Sequence, residues 1–221
     1  MKLHNTIRVG VPLYAEAEPQ LKNFVQRLYA SKKYHIIPED QHCFYHGTIQ
    51  ANNRNRSISA SQFIHQTEFD FDFYLSLDGD TWFDGDPDWL LDRLISHKKS
   101  VVGAVYPYRV GRPGELVAWK WGPQGLGEVC PIPETSIGLL LVDGIGHGCC
   151  LHHVDVFKTL PYPWFQNPIV SFGEITSNAC ESVGFALQCK EHNIPIFADC
   201  DVRCRHFNSY QKGHMMQEAP K

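Results

Sequence analysis

The sequence has no long apolar run. Its longest aliphatic stretch, IGLLLV at 137–142, is far too short to span a bilayer. The opening residues, MKLHNTIRVGVPLYAEAEPQ, lack the apolar centre of a secretory signal. Both absences lead to the expectation of a protein made and kept in the cytoplasm, with no transmembrane segment. Excess positive charge is missing too: 20 Lys and Arg stand against 24 Asp and Glu, a net charge of -4. Without a global basic field, nucleic acid is not expected as the main partner. No internal repeat or low-complexity linker divides the chain. It is read as one domain over 1–208 with a polar tail at 209–221, SYQKGHMMQEAPK, that looks like a linker or frayed end.

Cysteine, by contrast, is plentiful: there are eight. In the absence of a secretory signal they are read as thiols, mostly packed in the core. Cys149 and Cys150 are adjacent and cannot easily bridge each other. Cys200, Cys204 and His206, in CDVRCRH, have metal-ligating side chains, but the second half-site of a structural zinc motif is lacking.

The pattern of the first half alternates. TIRVGVP (6–12), YHIIP (34–38), FDFYLSL (71–77) and SVVGAVYPYR (100–109) read as strands; 18–31, 54–67 and 88–97 read as helices. In the first helix Leu21, Val25 and Leu28 share one face. The alternation predicts an α/β fold, a mostly parallel sheet with helices on both faces in a three-layer α/β/α sandwich. The second half is less regular. Residues 110–135 read as a long loop with short strands, 137–153 as strand, glycine-rich turn and strand, 175–192 as a helix, and 194–199 and 202–207 as closing strands.

The apolar strand at 71–77 runs straight into Asp78-Gly79-Asp80. Charge at the end of a buried strand is costly unless something pairs with it. In open α/β sheets ligands bind beyond the carboxyl ends of the strands. Two hard oxygen ligands there suit Mg²⁺ or Mn²⁺, and Gly79 lets the backbone bend closely around an ion. Asp-Gly is also a common turn pair, so a plain surface turn is the alternative.

With its neighbours, this motif resembles the GT-A glycosyltransferases, in particular compact family 2-like enzymes of phages and large DNA viruses. The matching pieces run in order over 6–208: VGVP (9–12), the RN of NNRNRSI (52–58), YLSLDGD (74–80), VVGAVYPYR (101–109), VDGIGHGCCLHHVDVF (142–157), CESVGF (180–185) and DVRCRHF (201–207). The resemblance implies a Rossmann-like GT-A fold. It also implies transfer of a sugar from a nucleotide-diphosphate sugar, a UDP-sugar first, to a hydroxyl on a glycan, lipid or protein.

Asp78 and Asp80 would be the DxD pair and His206 the C-terminal histidine completing the metal site. An imidazole ligand favours Mn²⁺, with Mg²⁺ second. Pro12, Leu13 and Tyr14 would seat the base, and Arg54 and Asn55 would face the nucleotide and diphosphate. Gly144, Gly146 and Gly148 match the GxG loop beneath sugar and acceptor, with His147 as a departure. Trp119 and Trp121 offer an apolar platform or core packing.

The catalytic base is where the pattern departs most. An inverting transfer needs a carboxylate to accept the acceptor's proton. The family pairs Glu-Asp at a helix start, and here Ser182 replaces the Asp. Glu181 and Glu174 are the candidates for that role. Two other functions compete: a sugar nucleotidyltransferase or phosphohydrolase built on the same aspartates, and a non-catalytic module that holds nucleotide or glycan. The first would carry a glycine-rich, basic loop after the first strand; VPLYAEAEPQ has neither glycine nor lysine.

Overall fold

The computed structural model describes residues 5–11, 19–39, 57, 70–108, 112–172 and 174–206. Apart from Ser57, the 54–67 helix expected from sequence lies outside these, as do the 209–221 tail and Pro12, Leu13, Tyr14, Arg54 and Asn55. The first half follows the expected alternation: β1 (Thr6–Gly10), α1 (Pro19–Tyr29), β2 (His35–Glu39), β3 (Phe73–Leu77), β4 (Thr81–Trp82), α2 (Pro87–Ser96) and β5 (Val101–Val105). Helix α2 starts where its sequence says it should. Pro87 occupies the first turn, and the Asp86 side chain accepts from the Asp88 amide at 3.1 Å.

The second half holds β6 (Glu115–Gly122), β7 (Gly125–Pro133), β8 (Leu139–Val142), β9 (Gly144–Ile145), β10 (Cys149–His153), α3 (Val154–Thr159), β11 (Ile169–Phe172), β12 (Ile175–Asn178), α4 (Glu181–Glu191), β13 (Ile196–Arg203) and β14 (Arg205–His206). The central sheet has seven strands in the order β2-β1-β3-β10-β5-β13-β8. Strands β1, β2, β3, β5 and β13 run one way; β10 and β8 run the other. The sheet is thus mostly parallel, as expected.

Period-two alternation sorts each strand's side chains onto two faces. On β10, Cys149 and Leu151 join the core under α1 and α2, together with Ile7, Val9, Leu75 and Leu77. Cys150 faces the other way, with Tyr74, Val101 and the α3 and α4 residues Phe157, Val183 and Phe185. The result is the three-layer α/β/α sandwich. No described helix is long and apolar enough to cross a membrane.

Three expectations need correction. Residues 110–135 are largely a paired ribbon, β6 with β7, rather than a loop. The Gly and Pro residues that suggested a loop mark its turns and bulges, while Leu116, Ala118 and Trp119 supply its core face. The helix expected at 175–192 begins only at Glu181, because Ile175–Asn178 pairs with β11 in a hairpin. The closing strands are divided differently as well, into β13 over 196–203 and a short β14 at 205–206.

Strand β13 is tied to α2 by charge. Asp199, with a fully buried side chain, accepts from Arg93 Nε at 2.6 Å and lies 2.7 Å from His97 Nε2. Burial pushes the Asp199 carboxyl up, but the hydrogen bonds from Arg93 and His97 more than offset this and hold it below its ordinary value. Its stabilisation is therefore complete above the unfolded carboxylate pKa, near 4, and is lost as pH falls through the lower folded value. Arg93→Ala is expected to cost about 2 kcal/mol. That is less than the roughly 3–5 kcal/mol for breaking a fully buried pair, since the Arg93 side chain is 35% exposed. Urea unfolding from about pH 6 to about pH 3 is expected to show a shallower acid loss of stability in the variant than in the wild type.

Candidate functional site

Beyond Leu77 the chain turns through Asp78-Gly79-Asp80 into β4. The Thr81 amide donates to the Asp78 carbonyl at 3.1 Å and closes the turn. The Asp78 amide donates to the Gly148 carbonyl at 3.1 Å, and Ser76 Oγ donates to the His147 carbonyl at 2.9 Å. These bonds pin the end of β3 to the glycine loop that precedes β10.

The chain's last described strand reaches the same place. β14 pairs antiparallel with β4, setting His206 opposite Thr81 and Arg205 opposite Trp82. Arg205 Nε also donates to Asp84 at 2.7 Å. His206 Nδ1 lies 2.9 Å from the Pro107 carbonyl, which can only accept. Nδ1 therefore carries a proton, and Nε2 is the ring nitrogen turned toward Asp80 that would ligate a metal. That Nε2 is 3.7 Å from Asp80 Oδ1, and Tyr106 packs edge-on against the ring at 4.9 Å.

Neighbouring ligands of an octahedral ion with bonds of about 2.1 Å lie about 3 Å apart, so Asp80 and His206 fit a Mn²⁺- or Mg²⁺-type ion with little adjustment. Asp78 is not gathered with them. Among the described residues the group of three ligating side chains found close together is a different one, His147, Cys150 and His152. Instead Asp78 lines a cleft of about 280 Å³ with Tyr106, Tyr108, Arg112, Trp119, His147 and Ser182. A hollow of about 320 Å³ between α1 and β4 is lined by Arg27, Trp82, Phe83 and Asp84 and contains none of the expected site residues.

The glycine loop, of which Gly146 lines the cleft, packs tightly against its neighbours. A Cβ on Gly146 would sit 2.2 Å from the Tyr106 hydroxyl oxygen and 2.6 Å from Val117, and one on Gly144 would sit 2.2 Å from the Trp119 ring. The room these glycines leave is filled by Trp119 and Tyr106, aromatics of the cleft wall. Trp119 is accordingly both core and cleft lining, with Trp121 edge-on at 6.3 Å. His147, the departure within this loop, is 1% exposed and joined through Nδ1 to Ser182 Oγ at 3.1 Å.

The expected bases do not meet in the cleft. Glu174 is exposed in the β11–β12 turn, because the helix start that would have carried it lies seven residues later. Glu181 is buried in the first turn of α4 and is not among the cleft-lining residues, whereas its neighbour Ser182 is. Cys200 and Cys204 form no site with His206. Cys200 faces the α4 side of the sheet and Cys204 the opposite side, beside Cys149. The contact with Cys149, together with burial, pushes the Cys204 thiol well up. Sequence reasoning missed Tyr106, Tyr108 and Arg112. The signal for the two tyrosines was the YPYR at 106–109 following a strand end; Arg112 lies beyond that motif.

No protein-family model and no curated protein matches the chain. Solved structures do. One is A197 from STIV, 15% identical, with TM-score 0.57, covering 92% of this chain and 85% of that one. That likeness shows a shared fold. Weaker likenesses are to a glycosyltransferase involved in glycosylation of the major capsid of PBCV-1 (13% identical, TM-score 0.41, 72% of this chain and 69% of that one) and to GalNAc-T7 with UDP, GalNAc and Mn²⁺ (12% identical, TM-score 0.49, 92% of this chain and 44% of that one).

Gly146→Ala tests the loop's packing. It forces Tyr106 and Val117 to move, and a loss of about 1–3 kcal/mol in denaturant unfolding is expected. Unchanged stability would mean that the Tyr106 side chain is not held as described.

Proposed function

We propose that this chain is a metal-dependent glycosyltransferase that moves a sugar from a nucleotide-diphosphate sugar, a UDP-sugar first, to a hydroxyl acceptor. The observation that carries the proposal is the meeting of His206 with Asp80 through the β14–β4 pairing, with the imidazole's Nδ1 held by the Pro107 carbonyl. A histidine far along the chain beside a paired-carboxylate turn at the end of a strand supports the metal-ligand role that the motif resemblance gives it.

In this reading Asp80 and His206 are the direct ligands and Asp78 supplies the second carboxylate, facing the cleft. When bound, the ion supplies Lewis-acid stabilisation of the departing diphosphate. The imidazole in the donor set favours Mn²⁺ over Mg²⁺. Arg54 and Asn55 would hold the diphosphate, and Pro12, Leu13 and Tyr14 the base. Trp119, Tyr106 and Tyr108 give the cleft an aromatic wall suited to a sugar ring, and Arg112 adds a cation there. Inversion is the weaker part of the proposal, since Glu181 does not line the cleft and Ser182 does. The same observation favours the second reading, a module that binds nucleotide or glycan without turnover.

The two are separated by UDP release from a panel of UDP-sugars, measured with Mn²⁺, with Mg²⁺ and with chelator. The wild type is expected to release UDP from one donor in a Mn²⁺-dependent way, and Asp80→Ala to lose about 100-fold or more of that rate. Thermal stabilisation by UDP and Mn²⁺ without release, even with acceptor mixtures present, would select the binding module. Full activity in Asp80→Ala would remove the metal role of this turn.

A further inference from the structure

Behind the cleft wall, on the α4 side of the sheet, lies a second set of ligating side chains that the proposed transfer does not use. We propose that His147, Cys150 and His152 form a buried site for a borderline-to-soft transition metal ion, Zn²⁺ first. One ligand atom from each lies within 4.8 Å of the other two, and the three residues are 1%, 0% and 0% exposed.

The fold accounts for the grouping. Cys150 and His152 are two apart on β10 and so point to the same face. His147 folds back from the tight turn before the strand. Opposite Cys150, β5 carries Gly103, where a Cβ would lie 3.4 Å from the Cys150 sulfur and 2.7 Å from Ile145. The absence of a side chain there leaves the thiol its room.

The imidazoles are anchored as metal ligands are. His152 Nδ1 lies 3.3 Å from the Tyr74 carbonyl, an acceptor only, so the bond puts the proton on Nδ1 and the lone pair on Nε2. His147 Nδ1 is bonded to Ser182 Oγ, a hydroxyl able to accept in the same way. The two rings are parallel to 1° with centroids 5.3 Å apart, and Phe165 and Phe185 stand edge-on to His147 at 5.1 and 4.9 Å.

A tetrahedral ion with bonds of about 2.0–2.3 Å needs ligand atoms roughly 3.3–3.8 Å apart. Loading the site therefore draws the rings out of parallel and closes the group by up to about 1.5 Å. The Cys150 thiol releases its proton to solvent as the sulfur–metal bond forms, leaving one positive charge spread over the ion and three ligands. Two neutral nitrogens and one thiolate select Zn²⁺ or Cu⁺ over Mg²⁺ and Ca²⁺, the opposite preference to the carboxylates of Asp78 and Asp80. Because His147 also lines the cleft, an ion here would fix the wall against which Ser182 sits.

The test uses the full chain carrying Asp80→Ala, which takes the carboxylate turn out of play, so failure of the transferase reading and failure of this one are separable. After chelator treatment and reloading with Co²⁺, the protein is expected to bind one ion and to develop thiolate-to-cobalt charge-transfer absorption. Cys150→Ser on that background is expected to abolish the band and weaken binding roughly 100-fold. X-ray absorption of the Zn²⁺-loaded protein is expected to read one sulfur at about 2.3 Å and two imidazole nitrogens at about 2.0 Å. That measurement needs no cysteine variant and stands even if Cys150→Ser does not fold. Failure to bind either ion overturns the proposal. So does a shell without sulfur, or a two-sulfur shell, which would assign the metal to the neighbouring Cys149 and Cys204.

Discussion

The structure depends on one reversed strand. β10 inserts antiparallel between the parallel strands β3 and β5, with Cys149 opposite Leu77 and Cys150 opposite both Ser76 and Gly103. It joins the β1–β3 half of the sheet to the β5–β13 half, and it is buried on both faces. Because β10 runs backward, the turn before it arrives beside the carboxyl end of β3. A parallel strand in the same slot would have put that turn at the far end of the sheet. The reversal is what lets the amide of Asp78 bond Gly148, and what sets the Asp-Gly-Asp turn against the glycine loop.

A second constraint acts from the C-terminal side. β13 runs parallel to β5 until its register shifts between Asp199 and Arg203. At that shift the buried Asp199 is held by Arg93 and His97 of α2 and the residue following it. Beyond β13 the chain leaves the seven-stranded sheet, and β14 pairs with β4. The buried charge thus ties β13 to α2 four residues before the strand ends at Arg203, ahead of the short link to β14. Arg205 to Asp84 and His206 to Pro107 then lock the last described strand in place.

The two ligating groups share a wall but differ in chemistry. At the turn, Asp78 lines the cleft while Asp80 and the largely buried His206 imidazole lie beside one another, a donor set suited to an exchangeable hard ion. Behind it, two imidazoles and a thiol lie among Phe157, Phe165 and Phe185, where charge is tolerated only when tightly bonded. His147 belongs to both surroundings, through its ring on one side and its bond to Ser182 on the other.

The alternating pattern of the first half, the strand leading into Asp78 and Asp80, and the capped start of α2 were all legible in the sequence. Each rests on periodicity or on contacts between neighbours in the chain. The β6–β7 ribbon was not legible, because Gly and Pro mark loops and bulged ribbons alike and only cross-strand pairing tells them apart. Nor was the role of the glycine loop: what Gly144 and Gly146 make room for is Trp119 and Tyr106, which come from other elements. The sequence by itself determined which side chains face which side of each strand, since alternation is a local property of extended backbone. Only the tertiary structure decided which of them meet. The insertion of β10 and the crossing of β14 depend on pairings between residues as many as 125 positions apart in the chain, such as His206 with Thr81, and no local pattern encodes these.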